Sequence, residues 1–291
     1  MDQETFLIGY VHNGAVRPAY QRGTVTYALD EALIPSFDWM MANLKAQDLL
    51  ARLDDSIRDP LPAGARLTLR GLLNHQPVWA AGVTYKISEE ARERESKSST
   101  VYTRVYSAKR PELFAKAVGY EVVSSDDFVG IRADATWSVP EPELTVVFNA
   151  YHEMVGFTLG NDMSSRDIEG ENPLYLPQAK VYDDSCSIGP RILLRPNAER
   201  WLDAAVHIRI ERQGSVVFQG ETRTDRLNRS LPELADYLGR CKKFPYGVLL
   251  MTGTGVVPSD DFTLAAGDVI RIRLDPIGEL VNMVHVVGNS G

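Results

Sequence analysis

Two β-prone apolar runs, Glu143-Leu-Thr-Val-Val-Phe148 and Met154-Val-Gly-Phe-Thr-Leu159, flank five residues, 149–153, and this spacing predicts an antiparallel β-hairpin. Folding the runs about that turn sets Glu141 and Glu143 opposite residues 159–161, with Asp162 just beyond. Side chains two apart on a strand share a face, so Glu141 and Glu143 point together while Pro142 faces away. Proline suits that place because the first residues of a strand need not donate to the ladder. Three carboxylates then meet at one point. Without a cation they repel one another or take up protons, and a bound ion removes that conflict. Their all-oxygen donor set suits magnesium, manganese or calcium better than zinc or copper. The bland alternative for Glu-x-Glu is a solvated strand edge.

A chain of 291 residues is long enough for one large domain and one small one. We expect a small α/β domain over residues 1–75 and the main body over 76–291. In the first, residues 6–11 read as an opening strand, Asn13-Gly14 as a turn, 36–53 as an amphipathic helix capped by Ser36, and 59–64 as a connection. This segment offers no catalytic constellation, so a structural or oligomer-forming role is expected. The formal charge of -8 argues against nucleic acid or an anionic membrane as partner, since either needs a basic surface. Two distant cysteines, Cys186 and Cys241, suggest neither a disulfide scaffold nor a zinc site. The first residues lack a secretory pattern, and no apolar run approaches membrane-spanning length, so a cytoplasmic location is expected.

Residues 78–85 read as a buried strand, and the charged run 88–98 as an exposed helix with supporting ion pairs, or alternatively as a lid. Farther on, residues 191–195, 205–210, 216–218 and the alternating 269–274 read as strands, and 230–238 as a short helix. The main body is therefore strand-rich. No dinucleotide-binding glycine motif or phosphate-binding loop is present. The five histidines show no ligand or triad spacing, and Ser88 and Ser187 lack a histidine-acid pattern, so nucleophilic serine catalysis is unsupported. A tight glycine turn explains Thr252-Gly-Thr-Gly255 as well as a ligand contact does.

Taken together, the acidic hairpin, Arg166-Asp167, Lys180, Thr252-Gly253-Thr254 and the strand after Gly267-Asp268 resemble the fumarylacetoacetate hydrolase superfamily over about residues 78–287. The resemblance implies an α+β, strand-rich fold: a mixed β-sandwich roll with a smaller N-terminal domain, in a homodimer or homotetramer. It also implies that Glu141, Glu143 and Asp162 bind magnesium, for which manganese or calcium can substitute. Within the superfamily, residues 169–180 and Pro111-Glu-Leu-Phe114 are similar to the 2-keto-3-deoxy-D-arabinonate dehydratases.

One departure bears on the reaction. Hydrolytic members carry a histidine and a glutamate that activate water, and the corresponding stretch here, Thr84-Tyr-Lys-Ile-Ser-Glu-Glu-Ala91, has Ser88 and Ala91 at those positions. The resemblance therefore implies removal of water from a 2-keto-3-deoxy sugar acid, with 2-keto-3-deoxy-D-arabinonate giving 2,5-dioxopentanoate. In that reaction a Lewis-acid cation stabilises the enolate left when C3 loses a proton, and an acid and a base flank the substrate.

The candidates for that pair are Glu112 and Lys180, with their roles open. Lys180 can also orient the substrate carboxylate, or be a salt-bridge partner of a metal carboxylate; Glu112 can instead be a helix-start carboxylate. Thr254 and Tyr85 are candidate substrate contacts, although Tyr85 can equally be core. Arg166 is expected to brace the metal carboxylates rather than touch substrate. Three rivals stand beside this reading: an acylpyruvate or fumarylacetoacetate-type carbon-carbon hydrolase, a 2-keto acid decarboxylase or tautomerase, and a non-catalytic protein that binds 2-keto acids.

Overall fold

The computed structural model describes residues 4–86, 104–200 and 202–289. The strands Pro142–Phe148 and Met154–Asp162 pair antiparallel as expected, with Glu143 opposite Gly160 and Pro142 opposite Asn161. Every residue of both strands is buried. That explains their near-continuous apolar character, since a strand covered on both faces has no need to alternate.

Both strands lie at the middle of an eleven-stranded mixed sheet. On one side of the hairpin come Cys186–Leu194, then the N-terminal strands Thr5–His12, Ala15–Arg22, Val25–Leu29 and Ile57–Pro60; on the other come Val248–Met251, Val78–Gly82 and Glu112–Ala117. A second, five-stranded sheet is built from Ser215–Arg223, Ala205–Arg212, Val269–Leu274, Gly278–Val287 and Asp127–Arg132. The molecule is thus α+β and strand-rich, with open mixed sheets.

Two apolar clusters hold the layers together. Val146 and Phe157 pack with Ile208, Ile210, Ile270 and Ile272 of the smaller sheet, whose alternating strands turn one face inward. Across the large sheet, Val147, Val155 and Leu249 join Phe37, Met40, Met41 and Leu49 of the N-terminal helices. Burial of such side chains contributes about 1.5–3 kcal/mol each and anchors the hairpin from both sides.

Three expectations need correcting. The single helix over 36–53 is two, Phe37–Asn43 and Ala46–Asp55, although Ser36 does cap the first by accepting from Trp39 N at 3.0 Å. The break is made by the hairpin turn: Asn149 Nδ2 donates to the Leu44 carbonyl at 3.0 Å, and Glu153 Oε2 accepts from Ala46 N at 2.7 Å. These long-range caps are invisible to local periodicity. Second, the strand expected over 78–85 ends at Gly82, because Val83 takes a φ of 51° and Thr84 Oγ1 turns to donate to the Thr252 carbonyl at 2.6 Å. Third, Glu112 opens a strand, Glu112–Ala117, and not a helix. The charged run 88–98, with Ser88 and Ala91, lies outside the described residues. Among the described residues, no helix is long and apolar enough to cross a membrane.

Candidate metal centre and active site

The hairpin register brings the three acids together. Asp162 N donates to the Glu141 carbonyl at 3.0 Å, closing the end of the ladder, and one carboxylate oxygen each of Glu141, Glu143 and Asp162 lie within 4.8 Å of one another. All three are nearly inaccessible, at 4 %, 2 % and 1 % exposure. The solvated-edge alternative therefore does not apply. Three converging carboxylate oxygens fit a hard divalent cation, with its other positions left to water or substrate oxygens.

Cationic side chains surround this triad. Arg166, the first residue of the helix Arg166–Glu171, reaches Glu141 Oε1 at 2.7 Å. Lys180, the last residue of the helix Leu176–Lys180, places Nζ 2.7 Å from Glu141 Oε2 and 3.2 Å from Asp162 Oδ2, and donates to Ser164 Oγ at 2.5 Å. A third cation, Lys116, lies 2.6 Å from Asp162 Oδ1, donates to the Met163 carbonyl at 2.9 Å and also donates to the Lys180 carbonyl.

Side-chain cations thus offset part of the repulsion that a bound ion was expected to relieve, since they pair with Glu141 and Asp162. Glu143 is treated differently. Gly253, whose φ of 93° suits glycine, donates its N–H to Glu143 Oε2 at 2.6 Å. Burial, and then the nearby charges of Asp162 and Glu141, still hold the Glu143 carboxyl well above the usual carboxylate range.

A cleft opens over the triad, lined also by Glu112, Phe114, Glu169, Thr254, Arg166 and Lys180. Glu112 sits opposite Gly82 in the register, and its carboxylate lies so close over Gly82 that an added Cβ would collide with it. Thr254 Oγ1 donates to the Val256 carbonyl at 3.2 Å. Tyr85 does not line this cleft. It is buried with its ring against Gly255, and burial, with help from Glu143 and Asp225, pushes its phenol above the ordinary value. The structure thus brings together around the cleft all the candidate residues except Tyr85, which packs against Gly255.

Two residues escaped the sequence reading: Lys116, buried against Asp162, and Glu169, which lines the cleft. Both had a signal. Glu112, Phe114 and Lys116 recur at period two on one strand, which puts them on one face. Glu169 follows Arg166 by three residues and so shares its helix face.

The profile of the fumarylacetoacetate (FAA) hydrolase C-terminal family matches residues 78–285. The chain is 47% identical over 212 residues to a probable 2-keto-3-deoxyxylonate dehydratase of Haloferax volcanii, covering 73% of each chain. It is 36% identical over 211 residues to the 2-dehydro-3-deoxy-D-arabinonate dehydratase of Saccharolobus solfataricus, covering 71% of each. A solved structure of a 2-keto-3-deoxy-D-arabinonate dehydratase complexed with magnesium and 2,5-dioxopentanoate superposes with a TM-score of 0.81 at 28% identity, over 98% of this chain and 100% of that one.

Proposed function

The chain belongs to the fumarylacetoacetate hydrolase family, and from that premise we propose that it is a divalent-metal-dependent hydro-lyase that removes water from a 2-keto-3-deoxy pentonate. The observation that carries this reading is the buried Glu141, Glu143 and Asp162 triad, placed in one cleft with Lys180 and Glu112. Sequence and structural similarity to sugar-acid dehydratases, one of them holding magnesium and 2,5-dioxopentanoate, supports the choice of reaction.

Glu141, Glu143 and Asp162 would hold a divalent ion, which would supply Lewis-acid polarisation of a 2-keto group and so make the adjacent C3–H bond more acidic. Arg166 keeps Glu141 in place from behind. Glu112, outside the triad, accepts the C3 proton. Lys180, ion-paired with Glu141 and Asp162 and therefore a cation, donates a proton to the C4 hydroxyl as it departs as water. Thr254, at the cleft wall, hydrogen-bonds the keto acid.

The test is a panel of 2-keto-3-deoxy pentonates and hexonates incubated with the protein and magnesium, read as water loss by mass spectrometry. Turnover of a pentonate, abolished by chelation, is expected. Rapid cleavage of acetylpyruvate instead would favour a carbon-carbon hydrolase, and magnesium-dependent binding without turnover would indicate a binding protein. We further infer a homodimer or homotetramer. The cross-strand pair Phe128 and Met283, 49% and 40% exposed on one face of the edge strand and its neighbour, supports a covered sheet face. Light scattering measures this directly.

A further inference from the structure

Two hydrogen bonds meet on one peptide group beside the triad. The N–H of Gly253 donates to Glu143 Oε2 at 2.6 Å, and the carbonyl of the same peptide, on Thr252, accepts from Thr84 Oγ1, also at 2.6 Å. Both threonines are buried. Thr252 is held to the strand that carries Glu143, donating to the Leu144 carbonyl from its N–H at 3.1 Å and from its Oγ1 at 2.8 Å. Thr84 is held from the other side, where its carbonyl accepts from Asn228 N at 2.8 Å. The φ of 51° at Val83, an outlier for a β-branched residue, turns the chain so that the Thr84 hydroxyl reaches Thr252. The approach is so close that a Cβ on Gly253 would collide with that hydroxyl.

We propose that Thr84 is a positioning residue for Glu143, acting through the 252–253 peptide. A carbonyl that accepts a hydrogen bond makes the N–H at the other end of its peptide a stronger donor. That N–H meets a carboxylate, so the bond is charge-assisted. With Oε2 held in this way, the Glu143 carboxylate is oriented before an ion arrives, as the outer partners of metal-binding groups orient them elsewhere. The effect on metal affinity rests on the reading that the triad holds a divalent ion. A hydroxyl that only satisfies a buried carbonyl would leave that affinity alone.

Threonine precedes glycine at 252–253 and 254–255, so labelling threonine carbonyls and glycine nitrogens isolates the Gly253 and Gly255 amides by NMR. In the metal-free protein, Thr84→Val should move the Gly253 amide proton upfield, and calorimetric titration with magnesium alone should show binding about tenfold weaker. Thr84→Ser, which keeps the hydroxyl, should restore both. Thr84→Cys, a weak donor, should fall between and serves where the valine variant does not fold. A Gly253 resonance unmoved by these replacements, or a wild-type magnesium affinity kept by them, would overturn the proposal. Failure of the metal reading looks different: the wild type binds no magnesium, while the Gly253 resonance still answers to Thr84→Val and the link to Glu143 stands.

Discussion

Lys116 Nζ stands 2.6 Å from Asp162 Oδ1, with 0% and 2% of the two side chains reached by solvent. The same ammonium donates to the carbonyls of Met163 and Lys180. A single buried charge thus ties the last carboxylate of the triad to the backbone of Lys180 and to the strand that carries Glu112.

Replacing Lys116 by methionine removes one partner of a buried pair, a change that costs about 3–5 kcal/mol. Because Asp162 then lacks this counter-charge, magnesium should raise the melting temperature of Lys116→Met more than that of the wild type. Thermal scans with magnesium and with chelator measure the difference. Equal magnesium shifts would show that the ammonium does not balance Asp162.

Magnesium affinity should rise with pH. The raised Glu143 carboxyl means that, between the ordinary carboxylate value and its own, the folded chain keeps a proton that the unfolded chain has released. The stability of the metal-free protein from this group therefore falls as pH rises through that window. Magnesium must displace the proton, so binding strengthens by up to about tenfold per pH unit below the folded value. Calorimetry in two buffers of different ionisation enthalpy should detect the released proton, and a pH-independent affinity would contradict it.

Gly82→Ala should lower turnover by about tenfold or more while leaving the fold near its original stability. The added methyl group meets the far end of the Glu112 side chain, which can swing aside, but a proton acceptor displaced by about 1 Å loses its alignment. Steady-state kinetics beside a thermal scan separate the two effects. Unchanged kinetics would remove Glu112 from the reaction.

The division of labour between Glu112 and Lys180 can be read by isotope exchange. Glu112→Gln should abolish exchange of the C3 hydrogens of a bound 2-keto acid with deuterium oxide. Lys180→Met should retain exchange yet lose dehydration, by about 10²-fold or more. The reverse pattern, followed by proton NMR, would exchange the two roles.

Much of this site was legible in the chain. The hairpin and its acidic end follow from local periodicity, and the observed register, Glu143 opposite Gly160, agrees with it. The helix break at Leu44 was not legible, because Asn149 and Glu153 cap it from more than a hundred residues away. Lys116 was passed over because a lone lysine in a short strand reads as solvated, and only its long-range contacts with Asp162 and the Met163 and Lys180 carbonyls make it a buried brace. Tyr85 was drawn into the candidate set as the end of a strand; the strand turns at Val83, and the ring is buried against Gly255, which favours the core reading that stood beside it.

Crystals soaked with manganese and a 2-keto acid, measured for anomalous scattering, test the central claim most directly. The account predicts one peak among Glu141, Glu143 and Asp162, about 2.0–2.2 Å from an oxygen of each. A peak elsewhere, or three side chains turned apart with no ion among them, would contradict it.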